Sequence, residues 1–237
     1  MPQPEKSATS QNLYSKLKDD ILHLKYPPGT AISEIETAKQ FELSRTPVRD
    51  AFKLLENDGL LEIQPHKGTF ISLIDLNKIS DILFMRETIE QAILKDLVYK
   101  YDKSQEFRIR LVLQKQKQLL ESDIPTDQLS REFIKSDNEF HDTLFAIDGK
   151  INVIEYLHMI FSEYERFRTF LNLGEKENII RLYNEHEQIF QCIANRDLDK
   201  LQNTLSHHLY DGFNSSADII YKYPDYFRPI DSRKNIR

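Results

Sequence analysis

The stretch Leu43–Gly68, LSRTPVRDAFKLLENDGLLEIQPHKG, constrains the fold more tightly than any other part of the chain. Ser44 suits a helix N-cap, where a side-chain oxygen accepts a backbone N–H that has no partner within the helix. Pro47 lies in the first turn, where its missing N–H costs nothing. Val48, Ala51, Phe52, Leu54 and Leu55 recur at helical spacing as an apolar face, while Arg45, Thr46, Arg49 and Lys53 fall on the other side and at the N-terminal tip. Gly59 ends the helix. Leu60, Leu61 and Ile63 then read as a strand, Pro65-His66-Lys67-Gly68 as a turn, and Thr69, Phe70 and Ile71 as the return strand. A helix followed at once by a hairpin is the order of a winged helix-turn-helix. Two arginines at a helix N-terminus suit the major groove of double-stranded DNA: guanidinium bonds two acceptors on guanine, and the free N–H groups of the first turn suit phosphate. A wing tipped by His66, Lys67 and Gly68 suits the backbone or the minor groove, glycine permitting close approach. The competing reading is an ordinary amphipathic helix and hairpin with solvated charges.

The residues upstream supply the rest of such a module. Leu13–Leu24 reads as an amphipathic helix with Leu13, Leu17, Ile21, Leu22 and Leu24 on or near one face, and Tyr26-Pro27-Pro28-Gly29-Thr30 breaks it. Ser33 suits the cap of a second helix starting at Glu34 and carrying Ile35, Ala38 and Phe41. Taken together, PPGTAISEIETAKQFELSRTPVRDAFKLLENDGLLEIQPHKGTFI resembles the DNA-binding domain of the GntR superfamily of bacterial transcription regulators. The resemblance rests on Pro28-Gly29, on Ser44 through Arg49, on Gly59-Leu60 and on Gly68. It implies that Arg45 and Arg49 read bases, that Thr46 touches phosphate and that the Lys67-Gly68 wing enters the minor groove. Glu42 departs from the pattern, standing where the family often has glycine.

Composition limits the alternatives. At 237 residues and 40% hydrophobic content, one or two domains with ample cores are expected. No apolar run approaches the ~18 residues of a membrane span, and MPQPEKSATSQN lacks the apolar segment of a signal peptide, so residues 1–9 read as a short disordered arm. The single Cys192 rules out an internal disulfide and suits the cytoplasm. Its place beside Ile189 and Ile193 makes it a small core residue. With a formal net charge of -6, a DNA binder must concentrate its positive charge on one face. Few phosphates are then neutralised per subunit, and a homodimer reading two half-sites of a pseudo-palindromic operator makes up the affinity.

Beyond Ile71 the strand signals stop. Helices are expected at 75–100, 104–121, 127–146, 152–171, 178–194 and 198–221, with breaks at Tyr101-Asp102, Asp123-Ile124-Pro125, Asp148-Gly149, Asn172-Leu173-Gly174 and Asn195-Arg196-Asp197. The fold class is mainly α: a winged helix-turn-helix over 10–72, a linker over 73–77, an antiparallel helical bundle over 78–222, and a tail over 223–237 that frays. Polar residues lie on the apolar stripes of the bundle. Phe133, Asp137, Phe140, His141, Leu144 and Phe145 share one helical face, and Asp137 and His141, four apart, point the same way. His186 lies on the stripe Leu182, Tyr183, Ile189, Phe190, Ile193. His208, rather than its neighbour His207, lies on the stripe Leu198, Leu201, Leu205, Leu209. A carboxylate on an apolar face costs several kcal/mol unless it is paired or bound to metal. Three inward histidines and one aspartate suit zinc, nickel or another divalent transition metal; hydrogen-bonded core histidines with a capping or paired aspartate are the other reading.

This helical region resembles the FCD effector domain of FadR-type GntR regulators. SDNEFHDTLF supplies Asp137 and His141, NEHEQIFQCI supplies His186, LDKLQNTLSHHL supplies His208, and MRETIE matches with Arg86 and Glu90. All four ligand positions of the metal-binding members are present; DGKIN at 148–152 departs from the family's frequent Gly-Asn. The resemblance implies a small organic acid that completes the metal's coordination shell. Arg86 and Arg168 are candidates for its carboxylate, with an ion pair to Glu90 as the other reading of Arg86, and a rim position as that of Arg168. The expected function is a metabolite-responsive DNA-binding transcription regulator, most simply a repressor. A metal-sensing regulator is the alternative. A metal-dependent hydrolase is the remote one: no HExxH, nucleophile elbow or phosphate-binding glycine loop occurs, and no enzyme activity is expected.

Overall fold

The computed structural model of the chain describes residues 4–171 and 176–229, with side chains from residue 9 onward. The contacts divide into two units. The first comprises residues up to Ile79 together with Ser162–Phe167 and the chain from Ile219; the second comprises Ser80–Phe161 and Arg168–Asp218.

In the first unit, α1 (Pro4–Leu22), β1 (Ala31–Ile32), α2 (Glu34–Gln40), α3 (Arg45–Asn57), β2 (Leu61–Gln64) and β3 (Gly68–Ile71) follow one another. The strands form an antiparallel sheet in the order β1-β3-β2, with Leu61 opposite Ile71 and Gln64 opposite Gly68. Strand β1 escaped the sequence reading because two residues carry no alternation. Leu13, Leu17 and Ile21 of α1 pack against Val48, Ala51, Phe52 and Leu55 of α3 and against Leu60, Leu61 and Ile71, so the helical stripes close one core. Leu54, assigned to the apolar face of α3, is instead 37% exposed, because it falls outside the arc set by Val48, Phe52 and Leu55. Ser44 and Ser33 occupy the N-cap positions of α3 and α2, yet neither side chain makes a capping hydrogen bond. Glu42 takes a left-handed φ of 54°, the conformation that glycine adopts without strain. Glu42 thus takes, in glycine's place, a backbone conformation open to glycine. Helix α1 extends through residues 4–9, read from the sequence as a disordered arm; nothing between Pro4 and Leu13 breaks a helix.

The tail corrects a second expectation. Residues 223–229 do not fray: a 3₁₀ turn at Pro224–Tyr226 precedes Phe227, which is buried. Ile74 pairs with Phe227 in a parallel bridge, its N–H donating to the Tyr226 carbonyl at 2.9 Å and its carbonyl accepting from Arg228 N–H at 2.8 Å. Arg233, Lys234 and Arg237 lie outside the described residues.

The second unit is helical: α4 (Leu76–Lys100, from Ser80), α5 (Lys103–Glu121), α6 (Thr126–Ile147), α7 (Ile151–His158), the end of α8 (Ser162–Leu171), α9 (Lys176–Asn195) and α10 (Leu198–Asn214), followed by α11 (Ala217–Lys222), which begins in this unit. Asp102 and Gln105 form a capping box at the start of α5. Two expected helices are split. The one over 152–171 breaks at Met159-Ile160-Phe161 with no breaker residue, so tertiary packing decides it. The one over 198–221 breaks at Ser215-Ser216, whose hydroxyls donate to the Asp211 and Phe213 carbonyls and compete with the helical ladder. The Asn172-Leu173-Gly174 break lies outside the described residues.

Candidate metal centre and DNA-contacting face

Arg45, Thr46 and Arg49 stand exposed at the start of α3, and Lys53 follows one turn on. The helix buries Pro47, Val48, Ala51, Phe52 and Leu55, which leaves the basic residues no direction but outward. Arg49, 60% exposed, lies 3.6 Å from the Glu34 carboxylate on α2, a contact that water screens. At the wing tip His66, Lys67 and Gly68 are exposed, His66 at a φ of 63° and Gly68 at 127°. Behind this face, the Ser72 hydroxyl donates to the Gly59 carbonyl at 2.6 Å, and Arg166 donates to the Ser72 carbonyl at 2.8 Å. Arg166 is wholly buried; burial lowers its guanidinium to about 10, against the opposing charge of Glu163, so it stays protonated at neutral pH.

In the second unit, Asp137 and His141 of α6, His186 of α9 and His208 of α10 are all buried, and one ligand atom from each falls within 4.8 Å of the others. Their helices deliver them because each lies on the stripe that forms the core. The His186 ring stacks on Phe140 at 4.1 Å. His141 Nε2 lies 3.2 Å from His208 Nε2, His186 Nε2 lies 3.3 Å from the same atom, and Asp137 Oδ1 lies 3.4 Å from His186 Nε2. Nitrogen ligands at 2.0–2.1 Å from a tetrahedral ion are about 3.3 Å apart. Donor type, number, burial and spacing therefore fit a divalent transition metal, which would be held by these four residues. His207, by contrast, is 64% exposed.

Every ligand has a partner on a neighbouring helix. His141 Nδ1 meets Glu90 Oε2 at 2.7 Å, His208 Nδ1 meets Glu185 Oε2 at 2.8 Å, and His186 Nδ1 meets Gln116 Oε1 at 2.9 Å. Arg168 donates to Asp137 Oδ2 and, at 2.6 Å, to Asn138 Oδ1. Burial alone would raise the Asp137 carboxyl; the Arg168 guanidinium outweighs it and holds it well below the usual range. Burial opposes the Glu90 charge too, but Arg86 and His141 bring that carboxyl down to about 2. Glu185 is likewise lowered, burial being outweighed by His208 and Arg181. Burial takes His186 down to about 3 and lowers His141 despite Glu90. At neutral pH the carboxylates are charged and these imidazoles neutral, the forms in which both bind metal.

Sequence-based candidates divide accordingly. The four ligand candidates converge. Arg168 reaches the centre through Asp137. Arg86 is buried and donates Nε to Glu90 Oε1 at 2.7 Å, with its guanidinium 5.5 Å above the Phe161 ring; the ion-pair reading describes its place. Gln116 and Glu185 were missed as partners of the ligands. Gln116 carried a signal, since it extends the inward stripe Ile109, Val112, Leu113, where a polar side chain needs a partner. Glu185 directly precedes His186 and carried none. Cys192 is buried, as expected, and burial raises its thiol.

Residues 9–71 match the model of bacterial regulatory proteins of the gntR family, and residues 81–211 match the FCD domain. The chain is 29% identical to the HTH-type transcriptional repressor RspR of Escherichia coli (strain K12), over 92% of this chain and 93% of that one. It is 30% identical, over 96% and 93%, to an HTH-type transcriptional regulator in an unstable DNA locus of Streptomyces ambofaciens. Its fold is similar to that of E. coli McbR/YncC, with a TM-score of 0.66 at 15% identity over 90% and 97% of the two chains. It is similar also to that of a GntR-type regulator from Rhodococcus sp. RHA1, with a TM-score of 0.68 at 18% identity over 91% and 99%.

Proposed function

The chain belongs to the GntR family of bacterial transcription regulators, in the group with an FCD effector domain, and we propose that it is a repressor that binds a pseudo-palindromic operator as a homodimer and responds to a small carboxylate at a metal centre formed by Asp137, His141, His186 and His208. The observation that carries this reading is the convergence of four buried ligand atoms within 4.8 Å. Arg45 and Arg49 read bases, Thr46 and Lys53 contact the phosphate backbone, and His66, Lys67 and Gly68 bring the wing to the minor groove.

Charge balance favours an acidic effector. The carboxylates of the centre and its surroundings each meet an arginine: Asp137 meets Arg168, Glu90 meets Arg86, and Glu185 meets Arg181, which Asp211 shares. A divalent ion adds two positive charges to this set, which an organic acid offsets. The metal supplies a Lewis-acidic attachment point. Arg168 supplies bidentate hydrogen bonding, exchanging part of its bond to Asp137 for the carboxylate. Zinc and nickel suit the nitrogen-rich donor set. Phe84 and Tyr99 of α4 and Phe107 and Leu111 of α5 are large exposed apolar side chains, the material of a homodimer surface.

The test is anisotropy of a labelled DNA fragment from upstream of the gene, read with metal-loaded protein while small carboxylates are added. Release by a carboxylate, with metal alone inert, supports the reading. Release on metal addition alone establishes the metal-sensing alternative, and binding indifferent to both sinks the sensor.

A further inference from the structure

We infer that Glu90, Gln116 and Glu185 are the positioning residues of the centre: from three different helices they hold the three imidazoles in the one tautomer that turns every Nε2 lone pair toward a common point. This rests on reading Asp137, His141, His186 and His208 as metal ligands.

A neutral imidazole carries one N–H and one lone pair, and the hydrogen bond at one nitrogen decides which nitrogen has which. Ionised carboxylates only accept. Glu90 Oε2 at 2.7 Å therefore makes His141 Nδ1 a donor, and Glu185 Oε2 at 2.8 Å does the same for His208 Nδ1. The Gln116 amide is oriented from its other end: its Nε2 donates at 3.0 Å to the Ser136 carbonyl, which only accepts. Its Oε1 is thus the atom facing His186 Nδ1 at 2.9 Å, and that nitrogen also carries the proton. Each acceptor is itself held, Glu90 by Arg86 at 2.7 Å and Glu185 by Arg181 at 3.0 Å, with the Ser136 carbonyl fixing Gln116.

With all three Nδ1 atoms protonated, no hydrogen remains to share between Nε2 atoms 3.2 and 3.3 Å apart. Those contacts are lone pair against lone pair, unfavourable until a cation sits among them. Such partners set ring orientation and raise ligand basicity. The shell is also uneven: carboxylates stand behind His141 and His208 and a neutral amide behind His186, so His186 is the weakest donor of the three.

The test begins with metal-free wild-type protein. Long-range proton–nitrogen correlation of the imidazoles, assigned with single His→Gln variants, is expected to show protonated Nδ1 and bare Nε2 at His141, His186 and His208. Exposed His66 serves as the reference for a ring that averages both tautomers. Zinc affinity is then measured by competition with a chromophoric chelator. Glu185→Ala and Gln116→Ala weaken zinc by about tenfold to a hundredfold, and Glu185→Gln, which keeps an acceptor, recovers part of the loss together with the His208 tautomer. A protonated Nε2 at any of the three rings, or wild-type zinc affinity in both folded alanine variants, overturns the inference while leaving the metal centre standing. A wild-type protein that takes up no zinc overturns the centre itself.

Discussion

His141 and His208 face one another with their Nε2 atoms 3.2 Å apart, and the far nitrogen of each ring is held by a glutamate, Glu90 and Glu185 respectively. In the inferred tautomer, with each Nδ1 donating to its glutamate, the two rings have no hydrogen to share between them. Their polar edges are turned inward, toward Asp137 and His186, where apolar side chains would otherwise fill the space.

Occupancy follows directly. Elemental analysis of protein purified without added chelator is expected to find one divalent transition metal per chain in the wild type and well under half that in His141→Ala. At free metal a thousandfold above its Kd, binding stabilises the fold by about 4 kcal/mol, a rise of roughly 10 °C in Tm that chelation removes. Equal metal content in the two proteins would falsify the assignment.

Metal-free protein has a stability that depends on pH in a defined direction. His186 sits at about 3 in the fold against an ordinary 6.5, and burial lowers His141 as well. Below 6.5 the unfolded chain takes up protons that the folded one refuses. Stability is therefore full above that value and falls as pH drops toward about 3, at up to about 1.4 kcal/mol per pH unit for each histidine. Glu90 acts in a lower window: its contribution is complete above 4.5 and lost as pH falls through about 2. Urea midpoints at pH 7.5, 5.5 and 4.5 should decline in that order, and a flat series would contradict the burial of neutral imidazoles.

On DNA, Arg49→Ala should cost about 1–3 kcal/mol and relax preference at one base pair in each half-site, as expected for a lost bidentate contact. Lys53→Ala should instead weaken all sequences alike and reduce the slope of log affinity against log salt by about one per subunit. Competition binding on a panel of operator variants at several salt concentrations separates the two. If both variants behave alike, the division between base reading and phosphate contact is wrong.

Glu42 holds a left-handed turn between α2 and α3 at a φ of 54°. Glycine has no Cβ to strain there, so Glu42→Gly should stabilise the winged domain by about 1 kcal/mol. Thermal unfolding reports the gain, and a lower Tm would mean that the glutamate side chain makes a contact outweighing its backbone strain.

Arg168 tests the effector reading. Arg168→Lys keeps the charge beside Asp137 but loses the planar fork. Metal content should persist while stabilisation by added carboxylates falls by about tenfold in apparent affinity. Undiminished response would move the carboxylate contact elsewhere.

Much of this protein was legible in its residues. Val48, Phe52 and Leu55 repeat at helical spacing beside Arg45 and Arg49, so burial of one set exposes the other, and the hairpin after Gly59 follows from turn chemistry. Asp137, His141, His186 and His208 each break an apolar stripe, and periodicity alone turns each inward. Tertiary structure decided what periodicity does not encode. The break at Met159–Phe161 contains no breaker residue, and the docking of Phe227 beside Ile74 joins segments more than 150 residues apart in sequence. The partners of the imidazoles belong to the same class. Glu90, Gln116 and Glu185 lie on three helices, and only packing brings each within 2.9 Å of a particular ring nitrogen. A side chain's direction is a local property of its helix, whereas the atom it meets depends on where every other helix has come to rest.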